Sequence, residues 1–98
     1  MSDKHLFVMA KITPKQEYFE SAKTELLGML EATRSELGCI QFELHASECG
    51  NYLYLYEEWK NQADLHKHHQ EPYTQDVAKK FEGWLAAPTE VSLMNKLF

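Results

Sequence analysis

Arginine, cysteine and long apolar runs are scarce in this 98-residue chain, and each scarcity excludes a class of protein. Arg34 is the only arginine, and 15 acidic residues outnumber 10 lysines and arginines, so the formal net charge is -5. Because nucleic-acid-binding surfaces concentrate positive charge, we expect no nucleic-acid partner. No apolar run approaches the roughly 20 residues of a membrane helix, so we expect no membrane partner either.

Several short signals are also missing. Cys39 and Cys49 are too few for a disulfide framework and too far apart for a CxxC redox site, so we expect reduced thiols. Residues 1–5 lack the basic and then apolar pattern of a signal peptide, which favours a cytoplasmic location. Without a glycine-rich phosphate loop, a GxSxG motif or a dinucleotide fingerprint, the chain offers nothing for nucleotide, flavin or serine-hydrolase chemistry.

Hydrophobic periodicity predicts a single domain, residues 1–98, with the element order β-α-β-β-α-β. The predicted segments are a strand at 6–13, a helix of about 20 residues from Lys15 to Leu37, strands at 40–46 and 52–59, helices at 62–69 and 73–85, and a strand at 90–98. Gly38 is placed to end the first helix in a left-handed conformation, and Asn61 to cap the second. The order predicts a ferredoxin-like α+β fold, an antiparallel sheet with helices on one face.

The sheet face that the helices leave open predicts a second copy of the chain. Alternation in the third predicted strand, residues 52–59, gives two mainly apolar rows. Leu53, Leu55, Glu57 and Trp59 share one face, and Tyr52, Tyr54 and Tyr56 share the other. Leaving either row in water costs roughly 25 cal/mol per Å² of apolar area. We therefore expect a two-fold homodimer.

The densest chemical signal is the sequence LHKHH at residues 65–69. Leu65 should face the core, which places His68 and His69 on its side and turns His66 toward solvent. An imidazole beside an apolar wall can act as a general base near neutral pH. The commoner role of such a histidine is packing at the core boundary, so both interpretations stay open.

A metal site is the alternative use of these histidines. His66 and His69 lie one helical turn apart, and His45 or Glu57 are candidates for a third ligand. Zinc sites normally carry a recognisable ligand pattern, and neither HExxH nor CxxC is present. We therefore expect no metal.

The segments also resemble a known family, the antibiotic biosynthesis monooxygenase domain, which includes quinol monooxygenases and is similar to the isomerase of phosphorylated autoinducer-2. The residues that carry the resemblance are Gly38–Leu44, Tyr54–Trp59, Ala63, Leu65, His68 and Pro72. The most telling mark is the E-x-W motif followed by a histidine nine residues later. The resemblance covers nearly the whole chain and implies a dimeric α+β barrel.

The resemblance also implies site residues. His68 matches the family's helix histidine, the expected catalytic base, and Trp59 its strand-end aromatic residue. We assign Trp59, Tyr73, His69 and Phe81 to substrate binding. Many members carry a second histidine just after the proline, where this chain has Tyr73, a residue able to hydrogen-bond a substrate oxygen.

The function implied is oxygenation of an electron-rich, quinol-like small molecule by dioxygen, without a metal or organic cofactor. Haem-degrading relatives carry an asparagine in the first strand, and none occurs between His5 and Thr13, which argues against haem. Two alternatives stay open: a keto-enol isomerase of the autoinducer-2 phosphate type, and a ligand-binding dimeric barrel without catalysis.

Overall fold

The computed structural model describes residues 4–98, and Met1–Asp3, part of the segment examined for a signal peptide, lie outside the described residues. The elements are β1 (Leu6–Pro14), a short 3-10 turn (Gln16–Tyr18), α1 (Phe19–Gly28), α2 (Leu30–Arg34), β2 (Cys39–Ala46), β3 (Leu53–Trp59), α3 (Gln62–Gln70), α4 (Pro72–Trp84) and β4 (Leu85–Met94). The strands form one antiparallel sheet in the order β2-β3-β1-β4, which confirms the predicted ferredoxin-like α+β fold. Within residues 4–98, no helix has both the length and the apolar character needed to cross a membrane.

The core lies between the helices and one face of the sheet. Along β3 every second residue is buried, and the residues between them are half-buried, as the sequence alternation predicts. The register places Val8 beside Glu57 and Ala10 beside Leu55, so β1 and β3 contribute to the same buried layer. The opposite face of β1 is only half-buried, because no helix lies over it.

The first helical segment is not the single helix that its periodicity predicts. α1 ends at Gly28, a poor helix former, and Met29 (φ -102°, ψ 0°) separates it from α2, which ends at Arg34. The predicted apolar stripe is correct as far as Thr33, which is fully buried. It is wrong at Leu37, which lies beyond the helix and is 93% exposed.

Gly38 has a left-handed backbone (φ +90°), but in the turn before β2 rather than at the end of a helix. A Cβ atom here would lie 2.3 Å from Oδ2 of Asp64, so only glycine allows this close approach. The Gly38 carbonyl accepts a hydrogen bond from the Lys60 amide at 2.8 Å. Asn61 Oδ1 accepts from the Asp64 amide at 2.8 Å, which confirms the predicted cap of α3. The contacts of Gly38 with Lys60 and Asp64 hold the turn before β2 against the start of α3.

The two edge strands depart from the prediction. β4 begins five residues before the predicted strand, because Pro88 does not interrupt it. The strand ends at Met94. The register between β1 and β4 shifts near Pro88, and sheets accept proline at edges and bulges. In β2, simple alternation puts Ile40 on the same face as Phe42, but Phe42 is buried and Ile40 is 52% exposed, since the register with β3 shifts between Cys39 and Gln41.

Candidate active site

A cavity of about 240 Å³ lies between the helices and the buried face of the sheet. Its polar lining residues are Glu57, His68, His69, Thr74 and Thr89. The apolar ones are Val8, Ala10, Ile12, Leu26, Met29, Phe42, Leu55, Leu65, Val77, Ala78, Phe81, Val91 and Leu93. Neither a lysine nor an arginine within residues 4–98 contributes to this lining. A concave apolar pocket with a few convergent polar groups is the usual form of a small-molecule site.

The cavity opens along β4, the edge strand. Val91 and Leu93 line it and yet remain 58% and 55% exposed. Because no helix covers this end of the sheet, an apolar molecule can reach the interior past these two side chains.

His68 is fixed at the cavity wall and is 3% exposed. Its Nδ1 lies 2.9 Å from Oε2 of Glu36. Because an ionised carboxylate can only accept, we assign the ring proton to Nδ1, and Nε2 then carries a free lone pair. The ring also packs on Trp59, with centroids 4.8 Å apart, and meets Phe42 edge-on at 5.6 Å. Within residues 4–98, Nε2 has no hydrogen-bond partner, which is the state that a general base requires.

Glu36 joins His68 to Tyr73. The Tyr73 hydroxyl donates to the same carboxylate oxygen that accepts from His68. Burial, and then the hydrogen bond to Glu36, raise the pKa of the Tyr73 phenol well above its usual value, so Tyr73 stays a neutral donor. The Glu36 side chain is only 12% exposed, and these two bonds compensate for its partial loss of water.

Trp59 and Glu57 form a second buried pair. The indole Nε1 of Trp59 donates to Oε1 of Glu57 at 2.8 Å. Burial raises the pKa of Glu57, and the nearby Glu36 raises it further. The hydrogen bond from Trp59 and the interaction with a positively charged His68 lower it, but burial is the largest effect and the pKa stays raised. The Glu57 carboxyl is therefore biased toward its neutral form, and its Oε2 has no hydrogen-bond partner within residues 4–98.

The raised pKa of Glu57 predicts how stability depends on pH. A carboxyl whose pKa rises on folding binds more protons in the folded state, so stability falls as pH rises from the unfolded value toward the folded one. Glu57→Gln keeps an oxygen for the Trp59 indole and cannot ionise. We expect this variant to flatten the fall and to be more stable than the parent protein above that range. Urea-unfolding midpoints between about pH 4 and 8 test this. Glu48→Gln, in the exposed β2–β3 turn, is the control; a Glu57→Gln curve parallel to the parent curve would contradict the expectation.

The structure brings three of the five predicted site residues to the cavity: His68, His69 and Phe81. His69 stands beside His68, with ring centroids 5.5 Å apart, and is exposed on its outer side. Burial of the rest of the ring, and then the charges of the neighbouring histidines, lower the pKa of His69. Whether His69 and Phe81 contact a substrate stays a prediction.

Trp59 and Tyr73 do not line the described cavity, and their contact with a substrate stays a prediction. Trp59 is fully buried, packs on His68 and is absent from the described cavity lining. Tyr73 is also absent from that lining, since its hydroxyl is bonded to Glu36. Both residues support the wall that holds His68, and direct contact with a substrate does not follow from where they lie.

The structure does not bring together the histidines considered as ligands of a metal site. Within the described part of the chain, no three His, Cys, Asp or Glu side chains are grouped so that they could hold a metal ion. His45 is exposed and pairs with Tyr54 at the far end of β3, and His66 is exposed on α3.

Sequence reasoning missed Glu36, and it considered Glu57 only as a possible metal ligand. Glu57 carried a signal, because an ionisable residue between Leu55 and Trp59 on a buried row is unusual. Glu36 carried none: it lies in the turn after α2 and meets a histidine 32 positions away.

Comparisons with known proteins agree with this fold. The model of the antibiotic biosynthesis monooxygenase family matches residues 5–80. "Uncharacterized protein sll1783" from Synechocystis sp. is 31% identical over 87 residues, which are 88% of this chain and 56% of that protein, so the chain spans about half of that relative. "Putative monooxygenase Rv0793" from Mycobacterium tuberculosis is 26% identical over 90 residues, 92% of this chain and 89% of that protein.

Solved structures show the same architecture. The structure of Rv0793 superposes with a TM-score of 0.92 at 24% identity and covers 96% of both chains. PA3566 from Pseudomonas aeruginosa has a TM-score of 0.91 at 25% identity and covers 100% of this chain and 98% of its own. The likeness therefore extends over the whole sheet and its helices.

Proposed function

Because this chain belongs to the antibiotic biosynthesis monooxygenase family, we propose that it oxidises a quinol-like substrate with dioxygen and that His68 is the catalytic base. The observation that carries the proposal is the hydrogen bond that Nδ1 of His68 donates to Glu36 at the wall of an apolar cavity. It leaves Nε2 as the one basic nitrogen of a ring that cannot turn. An oriented base in a site sheltered from water is what proton removal from a hydroquinone needs.

The proposed reaction begins with proton transfer from one hydroquinone hydroxyl to Nε2 of His68. The electron-rich anion gives one electron to dioxygen, and the semiquinone and superoxide so formed combine in a bond between a ring carbon and oxygen. The His68 imidazolium returns its proton to the peroxide, which loses water to leave a carbonyl group. Hydroquinone and dioxygen thus yield a hydroxyquinone and one water, and the substrate supplies all four electrons.

The protein's part in this scheme is electrostatic and steric. The largely apolar lining lowers the local dielectric constant around the anion and superoxide, and fixed polar groups act strongly in such a medium. The carboxylate of Glu36 stabilises the imidazolium that forms on His68, as an acidic partner does for a catalytic histidine in other enzymes. Burial raises the pKa of Glu57, which also lines the cavity, and in its protonated form this carboxyl would donate a hydrogen bond to a substrate oxygen.

The isomerase alternative is less well supported by the cavity. A phosphorylated substrate needs a cationic partner, and none of the described lysines or arginines lines the cavity. Arg34 lies outside it, where Nε donates to the Phe42 carbonyl at 2.9 Å.

Oxygen dependence separates the candidate functions. We expect the protein to accelerate oxygen uptake by hydroquinones and to form no product under nitrogen. An isomerase would keep its product yield without oxygen, and a binding protein without catalysis would leave the uncatalysed rate unchanged. Either result would overturn the proposal.

We also propose that a second copy of the chain covers the open face of the sheet. Half-buried apolar side chains continue across that face from strand to strand: Phe7 and Met9 of β1, Tyr54 and Tyr56 of β3, and Met94 of β4. Phe7 and Tyr56 are already in contact, with ring centroids 6.4 Å apart. An apolar patch on an open sheet face, with charged residues such as Glu58 and Lys11 beside it, is typical of a homodimer interface.

The dimer proposal predicts the effect of a charge on this face. Tyr56→Glu should weaken self-association by at least about tenfold, because the carboxylate would be buried without a partner. Leu27→Glu is the matched control, since Leu27 is 50% exposed on α1, away from that face. Sedimentation equilibrium measures both variants. A parent protein that sediments as a single chain, or equal dissociation constants for the variants, would contradict the dimer.

A further inference from the structure

Thr74 has a buried hydroxyl without a partner. It lies in the first turn of α4 and lines the cavity, and within residues 4–98 its Oγ1 makes no hydrogen bond. Its backbone amide is already bonded to the Glu71 carbonyl at 3.0 Å. A helical threonine commonly bonds back to a carbonyl of the preceding turn, and Thr74 does not. Because buried polar groups are nearly always paired, a free hydroxyl at a cavity wall points to a ligand that pairs it.

Thr74 is placed so that one ligand can contact both its hydroxyl and the proposed base. His68 and Thr74 flank the junction between α3 and α4, and both line the cavity. Since no bond holds the Thr74 hydroxyl, rotation about χ1 can turn it toward a bound molecule without losing a partner. A ligand that gives a proton to His68 can therefore place a second oxygen at Thr74.

The rest of the lining limits the ligand. No lysine or arginine among the described residues balances an anionic group there, and the carboxyl of Glu57 would repel one if it ionised. A cavity of about 240 Å³ is smaller than the roughly 300–1,000 Å³ of sites for drug-sized ligands. One or two fused rings with small substituents fit these limits.

We infer, resting on the proposed function, that the ligand is an uncharged dihydroxyaromatic compound and that the Thr74 hydroxyl recognises its second oxygen. Thr74 is then the residue that distinguishes a diol from a phenol with one hydroxyl group.

Binding without turnover tests this inference. Under nitrogen, calorimetry would give dissociation constants for 1,4-dihydroxynaphthalene and 1-naphthol with the parent protein, Thr74→Val and Thr74→Ser. We expect the parent to bind the diol about tenfold more tightly, the value of one hydrogen bond to a buried group. Thr74→Val should bind both compounds alike, and Thr74→Ser should keep the preference. The carboxylated compound 1,4-dihydroxy-2-naphthoate should bind at least about tenfold more weakly than the diol.

Thr24→Val is the control, since Thr24 is exposed on α1 and does not line the described cavity. It should keep the preference for the diol. An unchanged preference in Thr74→Val, or tight binding of the carboxylated compound, would overturn the inference and leave the proposed reaction standing. Failure of both neutral compounds to bind the parent would overturn the inference and the proposed function together, whereas normal binding without oxygen uptake would contradict the function alone.

Discussion

Replacing His68 by alanine should lower the turnover number with a hydroquinone by about 100-fold or more, the usual contribution of a positioned general base. The reason is that His68 is the group whose ring is fixed by Glu36 and whose Nε2 is free at the cavity. His69 is a poor substitute, because its outer side is in solvent and nothing in the described structure holds its ring by a hydrogen bond. Initial rates of oxygen uptake, corrected for autoxidation, measure the effect.

His66→Ala is the matched control for this experiment. His66 lies on the same helix, is exposed and does not line the cavity, so its loss should leave the rate unchanged. Because His68 is buried, His68→Gln is a second variant that preserves more of the packing; it should fold and be equally inactive. Parent-like turnover by a folded His68 variant would show that another group removes the proton.

Replacing Glu36 by glutamine should lower the turnover number by about 10- to 100-fold, the range found when the partner of a functional histidine is removed. An amide can donate to Nδ1, which moves the ring proton to Nε2 and removes the base. Substrate affinity should change little, because Glu36 does not line the described cavity. The loss should therefore fall on kcat rather than on KM.

Nitrogen chemical shifts of the imidazole distinguish this role from a merely structural one. In the parent protein, His68 should carry its proton on Nδ1; in Glu36→Gln, on Nε2. Glu31→Gln, on the exposed side of α2, should leave both the rate and the tautomer as they are. A Glu36→Gln protein with the parent tautomer and a normal kcat would remove Glu36 from the mechanism.

Much of the fold follows from local patterns in the sequence. The alternation around Leu55 identifies the buried face of β3, and Asn61 marks the start of α3, because both signals come from residues close together in the chain. The errors lie where tertiary structure decides. The turn at Met29 divides a helix of unbroken periodicity, and β4 continues through Pro88 because it is an edge strand with an irregular register.

The candidate site was predictable only in part, for the same reason. Leu65 fixes the inward side of α3, so His68 could be placed at the core from helical spacing alone. The hydrogen bonds of the site join residues far apart in the chain: Glu36 with Tyr73, and Glu36 with His68. No periodicity encodes such contacts. The direction of the Trp59 indole likewise depends on Glu57, which accepts the hydrogen bond of its Nε1.

Tyr73 illustrates how a resemblance can be right in position and incomplete in role. It stands where many similar proteins carry a second histidine, which suggested contact with the substrate. In this chain its hydroxyl bonds to the carboxylate that holds His68. Tyr73 therefore contacts the proposed base only through Glu36.

The fate of the two oxygen atoms of dioxygen tests the central proposal most directly. The protein would be incubated with a hydroquinone under ¹⁸O₂, and the product analysed by mass spectrometry. The proposed reaction predicts a hydroxyquinone that has gained one ¹⁸O atom, and the other ¹⁸O atom should be recovered in water. Formation of both labelled products should depend on His68. Unlabelled quinone together with hydrogen peroxide, formed no faster than without the protein, would contradict it.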